Sequence, residues 1–193
     1  MQGGLWRSVI AVLAFAFLAG AAPVAAADFD LAKLKDGGYV VLLRHVKAGG
    51  SDADNFDLEN CGTQRQVGAP GRKQAAMLSE RFRAAGISEV RILSSQYCRA
   101  RQTAELLDLG PVTAEPRLNY FHWRTGDEAA MVSAFQSFLQ ELEAAGAQAP
   151  LVVVTHKHAF VEVGVPEVKS GGGVILKPNG SAKPDVVGRI TAP

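Results

Sequence analysis

The apolar positions of this chain follow two alternating rhythms. The unbroken apolar run at 39–43, bounded by Gly37-Gly38, suits a strand buried on both faces, and the runs at 90–93, interrupted by Arg91, and 151–155, opened by Pro150, read as further short strands. Between them the period lengthens to that of a helix. Ala75, Leu78, Phe82 and Ala85 form one stripe within 71–86, which Gly86 closes; Ala100, Ala104 and Leu107 form another within 99–108. Met131, Ala134, Phe135, Phe138 and Leu142 mark a third helix, starting near Asp127 and stopped by Gly146. Two last apolar runs, at 173–176 and 186–190, flank Pro178-Asn179-Gly180 and read as a closing hairpin. Strands that alternate with helices predict an α/β domain of three α/β/α layers, with a mostly parallel sheet covered on both faces. The stretch 51–66 breaks this rhythm. It is polar, with Asp52, Asp54, Asp57 and Glu59, and reads as an excursion or lid.

The first 27 of the 193 residues follow a different logic. Arg7 supplies a positive start, residues 9–18 are apolar but too short to span a bilayer comfortably, and Ala25-Ala26-Ala27 offers a small-residue cleavage site before Asp28. The expectation is a secretory signal over 1–27 and one domain over 28–193, exported to a periplasmic or extracellular space, with no membrane span once the signal is cut. An uncleaved N-terminal anchor is the competing reading. Loss of Arg7 takes the formal net charge from +1 to zero. That balance leaves no basic excess for nucleic acid. Cys61 and Cys98, an even count in an oxidising compartment, are expected to form a disulfide.

Candidate chemistry gathers where the strands end. In such sheets ligands bind beyond the carboxyl ends of the strands. The first run ends in Arg44-His45, the second leads through residues 94–98 to Arg99 at a helix start, and the third ends in Thr155-His156. Two guanidinium forks suit a phosphoryl group, because each donates parallel hydrogen bonds to its oxygens. The helix start at Arg99 is expected to add backbone N–H donors. Histidine is a competent nucleophile toward phosphorus when its tautomer is fixed.

The segments "VVLLRH", "SSQYCRARQTAELL" and "VVVTHKH", with "CGTQRQVGAPGRKQA" between the first two, resemble the histidine phosphatase superfamily, the phosphoglycerate-mutase-like phosphatases. The resemblance runs along essentially all of residues 28–193. It implies that fold, a small phosphomonoester as substrate and a phosphohistidine intermediate. His45 would be the phosphorylated nucleophile; Arg44, Arg99 and His156 would complete the phosphate pocket, with no metal or cofactor required.

The chain departs from the family pattern in three places. Val46 replaces the usual glycine after the nucleophile, and its β-branched side chain would resist an unusual backbone angle. Lys157 replaces the glycine after the second histidine. Asn119 and Tyr120 stand where mutase relatives carry a carboxylate that protonates the leaving group. Glu128 is the expected replacement, beside Asp127, with Glu115 and His122 as weaker candidates. Lys47, Arg65 and Lys157 read first as solvated surface and second as extensions of the basic pocket.

Two rival functions stay in view. One is a catalytically impaired anion-binding protein of the same fold. The other is a zinc site from His156 and His158, two apart on an extended segment, with His45 or His122. Export points toward sugar, lipid-linked or cell-envelope phosphates, and the acidic loop argues against polyanionic ones.

Overall fold

The computed structural model of the chain describes residues 29–119, 127–146 and 150–193. The expected signal over 1–27 lies outside them. A central sheet is built from β1 (Val40–Arg44), β4 (Arg91–Ser94), β5 (Val112–Ala114), β6 (Leu151–Thr155), β7 (Gly173–Lys177) and β8 (Asp185–Ile190). Their order across the sheet is β5-β4-β6-β1-β7-β8. The first four in that order are parallel, while β7 runs antiparallel to β1 and pairs with β8 as the expected hairpin.

Alternation along the strands sorts the core into two halves. Val41, Leu43, Ile92, Val152 and Val154 face α1 (Ala69–Ala84) and α2 (Cys98–Leu107), meeting Leu78, Phe82, Ala100, Ala104 and Leu107. Val40, Leu42, Leu151 and Val153 face α3 (Glu128–Gly146) and α4 (Lys157–Glu162), meeting Phe135, Phe138, Leu139 and Phe160. The three layers expected from the sequence are present. Burying a strand on both faces requires the unbroken apolar runs seen at β1 and β6.

A two-stranded ribbon of β2 (Ala48–Gly49) and β3 (Gln66–Val67) closes the base of the polar excursion. The excursion is thereby a pinched loop. Helix α1 then passes so close to the chain after β1 that only a glycine fits at position 71. A Cβ there would collide with the Lys47 carbonyl oxygen and the Val67 side chain. Among the described residues no helix is long and apolar enough to cross a membrane.

Candidate active site

Register brings the strand ends level. Arg44 pairs with Thr155 and Leu43 with Val154, and Val154 also pairs with Ser94. Arg44, Ser94 and Thr155 therefore share the carboxyl edge of the sheet, and His45, Ser95 and His156 are the next residues off it. Backbone bonds keep them there: His45 N–H donates to the Thr155 carbonyl at 3.0 Å and Ser95 N–H to the Val154 carbonyl at 3.0 Å.

His45 is buried, and its Nδ1 lies 2.8 Å from the Val46 carbonyl. A carbonyl only accepts, so Nδ1 carries the proton, and the neutral ring keeps its lone pair on Nε2. Burial pushes the imidazole down to about 3; the Val46 carbonyl pulls it upward, and Arg99, Arg44 and Arg65 lower it further, in that order. Val46 does not strain the turn. Among the described residues Asp108 is the one non-glycine residue with positive φ, so Val46 has ordinary backbone. Its side chain joins the core and its N–H donates to Thr103 Oγ1 at 3.1 Å.

The rings of His45 and His156 meet edge to face with centroids 5.3 Å apart. His156 Nε2 is 2.8 Å from Ser95 Oγ, which is also 3.1 Å from Asn119 Oδ1 and receives the Tyr97 N–H at 3.3 Å. The serine has one proton. Donated to Asn119, it leaves the oxygen to accept from His156 Nε2–H and Tyr97 N–H, which satisfies all three contacts. Burial holds His156 well below the ordinary imidazole range, with Arg99, His45, His158 and Arg65 adding to the shift.

Arg99 is 1% exposed, and its guanidinium lies over the Tyr97 ring, 4.6 Å from the centroid. Tyr97 also packs on His156 at 5.0 Å and on Phe56 of the polar loop at 5.3 Å. Tyr97 is thus a buried hub that locks an arginine and a histidine of the site, a role sequence reasoning missed. The loop grips the start of α2 in three further ways. Gln64 Oε1 accepts the Cys98 N–H at 3.0 Å, Cys61 and Cys98 form the expected disulfide, and Asp52 Oδ1 lies 3.6 Å from Arg99 Nη1. The expected helix-end donors are therefore partly spent. Cys98 N–H goes to Gln64, and the Ala100 and Arg101 N–H groups both go to the Tyr97 carbonyl.

Arg44 is half-buried and its Nη1 donates to the Val168 carbonyl at 2.7 Å. Burial, then Arg65, lowers its pKa, and Glu167 opposes them. Arg65 Nε lies 3.5 Å from Asp52 Oδ2, and Asp52 Oδ1 lies 3.6 Å from Arg99 Nη1, which puts the partly exposed Arg65 at the rim of the site. Lys47 and Lys157 are exposed.

The acid candidates fall in different places. Asn119 is committed to the turn at Ser95, accepting the Gln96 N–H at 2.9 Å and donating to Gln96 Oε1 at 2.8 Å. Glu115 is tied to Arg117 by hydrogen bonds of 2.9 Å, and that partner holds its carboxyl low. Asp127 Oδ1 accepts the Ala129 N–H at 2.9 Å and caps α3. Glu128 is exposed in the first turn of α3, while Tyr120 and His122 lie outside the described residues.

The zinc geometry does not form as expected. His156 precedes α4 and His158 lies inside it, so the segment is not extended; the His158 ring packs against Phe135 at 6.3 Å. Among the described residues no group of three or more His, Cys, Asp or Glu side chains is placed to hold a metal.

This architecture is that of the histidine phosphatases. Residues 42–128 match the profile of the histidine phosphatase superfamily (branch 1). Solved structures share the fold. The protein histidine phosphatase SixA, complexed with tungstate, aligns with a TM-score of 0.59 at 19% identity over 79% of this chain and 96% of that one. The alpha-ribazole phosphatase from Shigella flexneri aligns with a TM-score of 0.58 at 17% identity, over 80% and 96%. A phosphoserine phosphatase from Entamoeba histolytica, in complex with 3-phosphoglyceric acid, gives 0.58 at 13% identity, over 80% and 97%. None of the curated proteins matches the sequence. Over residues 42–128 the chain matches the histidine phosphatase superfamily, and its fold is the one these solved structures share.

Proposed function

We propose that the protein is an exported phosphatase that hydrolyses a small phosphomonoester through a phosphohistidine on His45. The observation that carries this reading is a neutral imidazole, with its lone pair on Nε2, set among the charges of Arg44, Arg65 and Arg99 and against His156. Nε2 attacks phosphorus in line, forming the P–N bond as the ester P–O bond breaks. Arg44 and Arg99 hold the phosphoryl oxygens and stabilise their developing charge, and His156 adds a third donor when its Nε2–H turns from Ser95 to the anion. Water then attacks phosphorus, the P–N bond breaks, and inorganic phosphate leaves. Tungstate in the SixA complex is an oxyanion of related shape, which agrees with an anion seated in this fold.

The departing alkoxide takes a proton from Glu128 in this scheme, and the resulting carboxylate then accepts the proton of the attacking water. Replacing Glu128 by Gln is expected to lower turnover of an alkyl phosphate by about 100-fold and leave an activated aryl phosphate nearly unchanged. Equal losses on both, or none on either, would remove Glu128 from the mechanism. The commitment of Asn119 to Gln96 favours a second reading, an anion-binding protein that has lost its proton donor. That protein would turn over aryl phosphates alone, before any substitution. Export is supported by the apolar N-terminal stretch and by the Cys61–Cys98 disulfide, which belongs to oxidising compartments.

A further inference from the structure

Asp52 holds an unusual place for a loop carboxylate. Its Oδ1 accepts the Arg65 backbone N–H at 2.8 Å, its Oδ2 lies 3.5 Å from Arg65 Nε, and Oδ1 reaches to 3.6 Å from Arg99 Nη1. It therefore stands between two of the three guanidinium groups that act on His45. The placement is built by the fold. The Ala53 N–H donates to the Thr63 carbonyl across the loop at 2.8 Å, and the Cys61–Cys98 bridge fastens the loop to α2.

The guanidinium charges of Arg44, Arg65 and Arg99 are opposed by the carboxylate of Asp52 and, at Arg44, by that of Glu167, which leaves at most two positive charges around two uncharged imidazoles. A phosphomonoester carries between 1.5 and 2 negative charges at neutral pH, roughly, since its second pKa is about 6. The pocket thus balances no more than one phosphoryl group. A second anionic group beside it would meet a carboxylate already holding the arginines, with a like-charge penalty that a partly dry site enlarges.

We propose that Asp52 is a specificity-determining residue, setting the pocket to accept one phosphoryl group on a remainder without a second phosphate. This rests on the phosphatase reading above, since it requires the anion to bind against Arg99 and His45. The substrate class it selects is the monophosphate of a neutral or cationic molecule. Bisphosphates are excluded.

The test is calorimetric binding of two stable probes, inorganic phosphate and methylenediphosphonate, to the wild type, Asp52→Asn and Asp52→Glu, each with its thermal midpoint recorded. Phosphate is expected to bind the wild type at least about 10-fold more tightly than the diphosphonate, one decade being about 1.4 kcal/mol. Asp52→Asn is expected to narrow that ratio by about 10-fold, chiefly by tightening the diphosphonate, and Asp52→Glu to keep it. An unchanged ratio in Asp52→Asn, with phosphate still bound, overturns the inference and leaves the phosphatase reading standing. Weaker phosphate binding in Asp52→Asn at an unchanged thermal midpoint also overturns it, and makes Asp52 a positioning residue for Arg99. Failure of phosphate to bind the wild type overturns the phosphatase reading itself, and the inference with it.

Discussion

A neutral imidazole surrounded by guanidinium groups needs no separate base to attack phosphorus. In His45 the Val46 carbonyl fixes the proton on Nδ1, so Nε2 presents its lone pair wherever the domain is folded. The same neutrality weakens the fold in acid. Unfolded imidazoles titrate near 6.5, while burial holds His45 at about 3 and His158 at about 4, with His156 lowered too. Below about 6.5 the unfolded chain takes up protons that the folded chain refuses. Stability is therefore lost as pH falls from about 6.5 toward 4, and above 7 these groups give no slope. At pH 5 the loss is on the order of 2 kcal/mol for a fully buried ring. Urea denaturation at pH 7.5 and pH 5.0 is expected to show a lower midpoint in acid. An equal or higher midpoint at pH 5.0 would contradict the buried neutral rings. At this scale Arg44, His45, Arg99 and His156 were legible because each follows an apolar run or opens a helix. Tyr97 and Asp52 were not. Nothing local separates Asp52 from Asp54, Asp57 and Glu59, and its role comes from Arg65 and Arg99 arriving through the fold.

Helix α2 owes its start to the loop rather than to its own sequence. Its N-cap residue, Tyr97, makes no side-chain cap, and buried Gln64 supplies the missing acceptor while donating to the Asp57 and Leu58 carbonyls at 2.9 Å. Bridging cysteines 37 positions apart adds about 4 kcal/mol by loop-closure entropy. The two core clusters do not depend on that bond. Reduction is therefore expected to release the loop and misplace Arg99 before the domain unfolds. A dithiothreitol titration followed by activity and near-ultraviolet dichroism should show activity falling about 10-fold while the dichroism stays native, in keeping with the sensitivity of a site to displacements near 1 Å. Unchanged activity at full thiol titre, or loss coincident with unfolding, would refute this coupling. Long elements were legible from their periods: β1, α1, α3, β6 and the closing hairpin fall within a few residues of the expected runs. The β2–β3 ribbon, β5 and α4 are shorter than the period that would reveal them, and they form through pairing and packing with distant segments.

Across the whole molecule, a chain with almost no net charge concentrates three guanidinium groups at one sheet edge. Parallel register makes this concentration possible, since Arg44 and Thr155 leave the sheet at the same level, and Ser94 within one residue of it, from segments far apart in sequence. The class of fold was legible from the alternation of strands and helices alone. The fit of the loop over the site was not, because it depends on a disulfide, a glutamine cap and an aromatic contact made across more than thirty residues of chain. A phosphoryl acceptor at the centre of that edge is the claim on which the function depends. Its most direct measurement is a rapid-mixing experiment with an activated aryl phosphate, quenched in alkali because phosphohistidine is acid-labile, followed by peptide mapping. The account predicts phosphate on His45 at Nε2, absent from His45→Ala together with turnover. Phosphate on any other residue, or full turnover by His45→Ala, would contradict it.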